Sequence, residues 1–254
     1  MTTAFYDTDF FIRGGSADLE EVGHRRPANN NSSDHAYVSA YFRNIKEAII
    51  QRINEYDAVF GCVAWLSDTE VLDALASGEK DVCIIVQKED FLRPDGDRAN
   101  YRDWLRRSYA RVKQRFWYQG FPDYTSISYR REKMTVMAYE SSDNLWPGAD
   151  SMTIEPFRCA GRLVKQGEFI PRMHNKFLVF CDKDEEGNYH PIEVWTGSYN
   201  MSKTATLGFE NGVGIISTEI GKAYLSEFSD ILLLSEPLDW HSEWIAPQLA
   251  IGIS

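Results

Sequence analysis

Apolar and polar positions along the chain change period in blocks. Residues 35–42 (HAYVSAYF) alternate and predict a strand. After Asn44, a candidate cap, apolar residues recur at helical spacing at Ile45, Ala48, Ile49 and Ile53. Residues 57–66 (DAVFGCVAWL) form a nearly unbroken apolar run, the pattern of a strand covered on both faces. Ser67 or Asp68 caps a short helix, TEVLDALAS, with Gly78 just beyond it, and DVCIIVQ (81–87) repeats the buried-strand pattern. This strand–helix–strand succession predicts an α/β fold: a mixed, largely parallel central sheet with helices on both faces.

Residues 99–117 read as a further helix, with Tyr101, Leu105, Tyr109 and Val112 as its inner stripe. TSISYRREKMTVMAY suggests two short strands and SSDNLWPGADS a loop. The last third has clearer periods. HNKFLVFC (174–181) and PIEVWTG (191–197) are strands joined by the polar turn DKDEEGNYH, NGVGIIS (211–217) is another strand, and GKAYLSEFSDILLLS (221–235) is an amphipathic helix. Residues 13–35 are polar and rich in Gly, Asn and Ser. The expected organisation is a polar, flexible segment over 1–35 and one domain over 36–254, with an irregular insertion at about 88–170.

Composition narrows the class. A length of 254 residues with 43% apolar and 26% charged side chains is ordinary for one globular α/β domain. No run approaches the ~18 apolar residues of a membrane span. MTTAFYDTDFFIRGG has neither a basic start nor a continuous apolar stretch, so no secretory signal is expected. Cys62, Cys83, Cys159 and Cys181 are scattered without a CxxC spacing, which predicts buried free thiols and a cytoplasmic setting. A net charge of −11 and a pI near 5.0 argue against coating nucleic acid by bulk charge and against anionic lipid. The charge is uneven, however. Arg98, Arg102, Arg106, Arg107, Arg111, Lys113 and Arg115 face one acid, Asp103, and the candidate substrate-binding set is Arg102, Arg106, Arg107 and Arg111. Trp117, Tyr118, Phe121 and Tyr124 follow as candidate base-stacking residues or as core.

Candidate chemistry sits in the last third. His174 and Lys176 are two apart on a strand, so they share a face, roughly 7 Å apart. The next strand ends in Gly197-Ser198-Tyr199-Asn200, where glycine permits close approach to a ligand and Ser198 and Asn200 supply donors. If the strands are neighbours, an imidazole, a cation and neutral donors converge, a set suited to phosphate. Glu210, just before the next strand, is placed to orient the imidazole through its other nitrogen. His24, His35, His190 and His241 lack such company. Asp182, Asp184, Glu186, Gly187 and Glu193 nearly match a calcium loop but lie between strands, so they read as an acidic hairpin turn.

MHNKFLVF, VWTGSYNMSKTA and FENGVGI together resemble the phospholipase D superfamily signature, H-x-K, then Asp, then G-S-x-N, then Glu before a strand. The upstream order of YFRNIKEAIIQRI, AVFGCVAWLSDTEVLDAL and VCIIVQ is also similar to that family's opening sheet. The resemblance implies an α-β-α sandwich and a phosphodiesterase that needs no metal or cofactor, with His174, Lys176, Ser198, Asn200 and Glu210 as catalytic residues. It implies two motifs per site, one His forming a phosphohistidine and the other protonating the leaving oxygen. With one motif here, the expected partner is a second copy in a homodimer. Nucleic acid is the expected substrate, the enzyme then being a nuclease. A phospholipase D-type lipid phosphodiesterase and a catalytically silent dimeric binding protein are the alternatives. The sequence departs from the signature at the acid: Cys181 stands at that position and Asp182 follows. Strand parity turns residue 181 away from His174 and Lys176, so chemistry is expected to survive.

Overall fold

A computed structural model describes residues 32–89, 99–112, 116–117, 153–161, 172–233 and 235–238. Residues 1–31 of the expected polar segment over 1–35, the two strands and loop of 125–151, Arg98, Lys113, Arg115, Tyr118, Phe121, Tyr124, His24 and His241, and the side chains of Tyr101, Arg102 and Trp117 lie outside the described residues.

In chain order the elements are β1 (Tyr37–Tyr41), α1 (Ile45–Glu55), β2 (Ala58–Val63), α2 (Thr69–Ala76), β3 (Asp81–Gln87), α3 (Ala99–Tyr109), β4 (Phe116–Trp117), β5 (Thr153–Ile154), β6 (Phe157–Ala160), β7 (Lys176–Lys183), β8 (Tyr189–Gly197), α4 (Lys203–Thr206), β9 (Gly212–Ile216), α5 (Thr218–Leu233) and β10 (Glu236–Pro237). Among the described residues, eight strands form one sheet in the order β1-β9-β8-β7-β2-β3-β6-β10, and β4 pairs with β5 apart from it.

The sheet is mixed but mostly antiparallel, which corrects the largely parallel expectation. Only β2–β3 and β3–β6 run parallel; β1–β9, β9–β8, β8–β7, β7–β2 and β6–β10 are antiparallel. The physical reason is the connections. A parallel pair needs a crossover of a dozen or more residues, and β2-α2-β3 supplies one. The turn between β7 and β8 is far too short. The strand that opens the domain does not sit beside β2 at all: β1 lies at the sheet edge, paired with β9.

Helices cover both faces. On one, Ile45, Ile49 and Ile53 of α1, Val71, Leu72 and Leu75 of α2, and Leu105 and Tyr109 of α3 pack on Val59, Val63, Ile84, Leu178 and Phe180. On the other, Leu225, Phe228, Ile231 and Leu232 of α5 pack on Phe60, Cys62, Ile85, Phe177, Val179 and Cys181. β2 and β3 are buried at every residue, as their unbroken apolar runs require. α3 ends at Tyr109, short of the expected 117, and Phe116–Trp117 is strand. Asp68, rather than Ser67, caps α2 by accepting from the Glu70 and Val71 amides at 3.0 and 3.2 Å. Asn44 precedes α1 in the left-handed region and makes no side-chain cap. All four cysteines are free and buried. No helix of the described residues is long and apolar enough to cross a membrane.

Candidate active site

β7 and β8 form a hairpin, and its turn is built around Asp184. That carboxylate accepts from the Glu186 and Asn188 amides at 2.9 and 2.8 Å and from His190 Nε2 at 2.8 Å. His190 and these amides hold the Asp184 carboxyl well below the usual carboxylate range. The near-calcium pattern is therefore a hairpin turn, and among the described residues no group of three His, Cys, Asp or Glu is placed to hold a metal ion. Glu193 is part of a different structure. It is buried in β8, where it accepts from Arg52 Nε at 2.7 Å and Tyr56 Oη at 3.2 Å.

Antiparallel pairing of Phe177 with Thr196 places the start of β7 beside the end of β8, so His174 and Lys176 arrive next to Ser198. The approach to β7 is pinned by its neighbours. Asn175 O accepts from Ala64 N at 2.9 Å, and Met173 N donates to Gln87 Oε1 at 2.8 Å. Gly161, at φ 86°, abuts the Gln87 amide so closely that a Cβ there would lie 2.4 Å from Oε1. Only glycine meets both demands.

Lys176 is 9% exposed. Its Nζ lies 3.2 Å from each ring nitrogen of His174 and donates to His174 O at 2.9 Å. Burial lowers the Lys176 pKa, and the Glu210 charge offsets this in part. His174 is held below the ordinary imidazole value by burial first, then by the charges of Lys176 and Arg172. Parity holds across β7: Cys181 packs on the α5 face, away from Lys176, and burial raises its thiol pKa.

Ser198 Oγ donates to the Glu210 carboxylate and accepts from Asn211 N at 3.0 Å. Glu210 thus engages Ser198, where the sequence had suggested His174. Gly197 serves strand pairing: a Cβ there would stand 2.2 Å from Asn211 O. The following loop is fastened to the start of α2, because Met201 O accepts from the amides of Ser67 and Asp68 at 2.8 and 2.9 Å. Asn200 sits in that loop, and among the described residues its Oδ1 is the one buried side-chain polar atom without a partner.

Two residues that carried no motif complete the surroundings. Trp65, just past β2, meets the His174 ring edge-on at 5.3 Å and lies 5.7 Å from Lys176 Nζ. Its Nε1 donates to Glu89 Oε1 at 3.0 Å. The only sequence signal for either was position, at the ends of two buried strands.

The described arginines at the end of α3 and just beyond it make contacts of their own. Arg107 Nε donates to Asp103 O at 2.9 Å, and Arg111 Nη1 pairs with Asp73 at 2.5 Å, both at the surface. Arg106 lines a groove with Tyr109, Val112 and Phe157. Tyr109 Oη donates to Leu66 O at 2.5 Å, which ties the end of α3 to the loop that carries Trp65.

No family model matches the chain. Among solved structures it is similar to Nuc from Salmonella typhimurium, a phospholipase D family member, with 13% identity, a TM-score of 0.45 and coverage of 82% of this chain and 100% of that one. It is also similar to NucT from Helicobacter pylori, with 15% identity, a TM-score of 0.45 and coverage of 80% and 99%. The uncharacterized protein L381 of Acanthamoeba polyphaga mimivirus is 31% identical over 207 residues, 81% of this chain and 68% of that one. The chain belongs to one family with the mimivirus protein L381.

Proposed function

We propose that the chain is a nuclease of the phospholipase D type, a phosphodiesterase that works through a phosphohistidine at His174 and is complete only as a homodimer. One observation carries this reading. Lys176 is nearly buried, yet among the described residues it hydrogen-bonds only His174 and meets no carboxylate within ion-pair distance. Buried charges are normally paired. An ammonium left this way, beside an imidazole and at the end of the hairpin where Ser198 and Asn200 follow β8, is suited to an anion that arrives from outside, such as a phosphodiester.

In this mechanism a ring nitrogen of His174 attacks phosphorus and the bond to the leaving oxygen breaks. His174 of the second copy gives that oxygen its proton. Lys176, Ser198 and Asn200 hold the oxygens on which charge develops. The second imidazole then takes a proton from water, the resulting hydroxide attacks phosphorus, and the N–P bond breaks to free His174. Burial and the charges of Lys176 and Arg172 disfavour the protonated imidazole, which suits the attacking role.

Pairing of two copies has its own support. Phe42, Leu207 and Phe209, exposed by 63%, 81% and 97%, rim a cavity of about 380 Å³ that Glu210 also lines. Apolar side chains this exposed beside the candidate site suit burial against the second copy. Nucleic acid as substrate is supported by the arginines of α3 and the residues just after it, with Arg102, Arg106, Arg107 and Arg111 as the candidate contacts; Tyr109 ties the end of that helix to the site's loop.

The test is incubation of the full chain with DNA, RNA and bis(p-nitrophenyl) phosphate in excess EDTA. Cleavage that His174→Ala abolishes, with an acid-labile phosphate trapped on His174, is expected. A wild-type protein that cleaves none of the three overturns the proposal.

A further inference from the structure

We infer that Trp65 is a positioning residue of this site, holding the His174 ring and the Lys176 ammonium in register, and that Glu89 fixes the indole. The inference rests on the reading above for its catalytic meaning, but its geometry is independent of it.

One indole touches both groups. The His174 ring stands at 78° to it with centroids 5.3 Å apart, and Lys176 Nζ is 5.7 Å from its centroid, within the ~6 Å reach of a cation–π contact. A lysine ammonium rides on a flexible four-carbon stem. Among the described residues no carboxylate hydrogen-bonds Lys176, so the indole face and His174 are what confine it. The indole is itself confined. Its N–H donates to Glu89 Oε1 at 3.0 Å, and the same carboxylate oxygen lies 4.0 Å from Arg172 Nη1. Glu89 therefore links the end of β3 to Trp65 and to the segment two residues before His174.

A space-filling role for Trp65 needs none of this. It would be met by any large apolar residue, and it would leave the indole N–H without a required partner. Trp65 is only half-buried, whereas the residues that fill the core around it, Ala64 and Leu66, are 1% and 2% exposed. Among the described residues the charged groups near His174 are Lys176 and Arg172, with Glu89 beside Arg172 and the indole and Glu210 acting on Lys176, so a change in the indole is read against these.

The experiment uses the full chain with Trp65→Leu, Trp65→Phe, Glu89→Gln and Glu89→Leu. The His174 titration is followed by NMR without substrate, and kcat and KM are measured on bis(p-nitrophenyl) phosphate. Trp65→Leu is expected to move the His174 titration up toward the ordinary value, by relieving burial, and to lower kcat about 100-fold with KM changed far less. Trp65→Phe, which keeps an aromatic face, falls between. Glu89→Gln keeps an acceptor for the indole and stays closer to wild type than Glu89→Leu. Both lose the same charge, so their difference reads the hydrogen bond. If Trp65→Leu does not fold, the Phe and Glu89 variants decide. Folded variants with a wild-type His174 titration and kcat within about threefold overturn the inference. A wild type without turnover defeats the functional reading alone, since the titration still tests Trp65.

Discussion

Replacing Glu193 with alanine tests whether the ion pair behind the site is as consequential as its burial implies. Glu193 and Arg52 have side chains 5% and 12% exposed and meet at 2.7 Å. Arg52 also donates to Tyr41 Oη at 3.0 Å and to Ala48 O at 2.9 Å, and it lies 5.1 and 5.0 Å from the Tyr41 and Trp195 ring centroids. The pair thus clamps α1, β1 and β8 together. Removing the carboxylate leaves a guanidinium that cannot deprotonate and that has lost its only hydrogen-bonding anion among the described residues. Breaking a buried pair from one side costs about 3–5 kcal/mol. The remaining partners and the partial exposure of Arg52 place this case near the lower end, about 3 kcal/mol. At roughly 2–4 °C per kcal/mol for a domain of this size, the midpoint falls by about 6–12 °C. Glu193→Leu combined with Arg52→Met replaces the pair by apolar groups and should cost less than the two single changes summed. Urea unfolding followed by tryptophan fluorescence measures all four corners of the cycle. A loss below about 1 kcal/mol for Glu193→Ala, or single costs that simply add, refutes the argument from burial.

Other expectations follow from the same contacts. Because His174 is held below the ordinary histidine value, the acid limb of kcat/KM on a phosphodiester should lie below pH ~6.5. The sign for stability is the same: below that pH the unfolded chain takes up a proton that the folded site resists, so His174 destabilises the fold as pH falls. A limb above 6.5 in the pH–rate profile contradicts this. Phe209→Glu puts a charge on a 97% exposed apolar rim and should weaken self-association at least about tenfold, read by sedimentation velocity. Unchanged association would remove this rim from the dimer interface. All four cysteines are buried and free, so a disulfide reagent should label none rapidly in the native protein and four after unfolding.

How much of this was legible in the sequence depended on range. Local periodicity placed β2, β3, β7, β8 and β9 and correctly turned Cys181 away from Lys176, because strand parity is a property of consecutive residues. The adjacency of the strand ends that carry His174, Lys176 and Ser198 needed only one further step, a hairpin, and the polar turn around Asp184 supplied its signal. Strand order was not legible in the same way. The position of β1 beside β9 is decided by packing across more than 170 residues, and a strand–helix–strand rhythm looks the same whether or not the flanking strands end up adjacent.

The same limit explains the residues that the motif left out. Trp65 and Glu89 are 24 apart, and each is more than 80 residues from His174, so no spacing rule joins them. What joins them is that β2 and β3 run parallel and end at the edge where β7 begins. Once that topology is known, a tryptophan and a glutamate at those ends have little freedom to be elsewhere. Glu193 makes the complementary case. Beside Asp184 and Glu186 it completes a metal-like spacing, yet two residues of opposite exposure in one turn–strand segment cannot serve one ion. Asp184 faces solvent with His190, while Glu193 faces Arg52 in the interior. Place in the hairpin, rather than ligand spacing, decides what each carboxylate does: Asp184 closes the turn and Glu193 takes the interior face of β8.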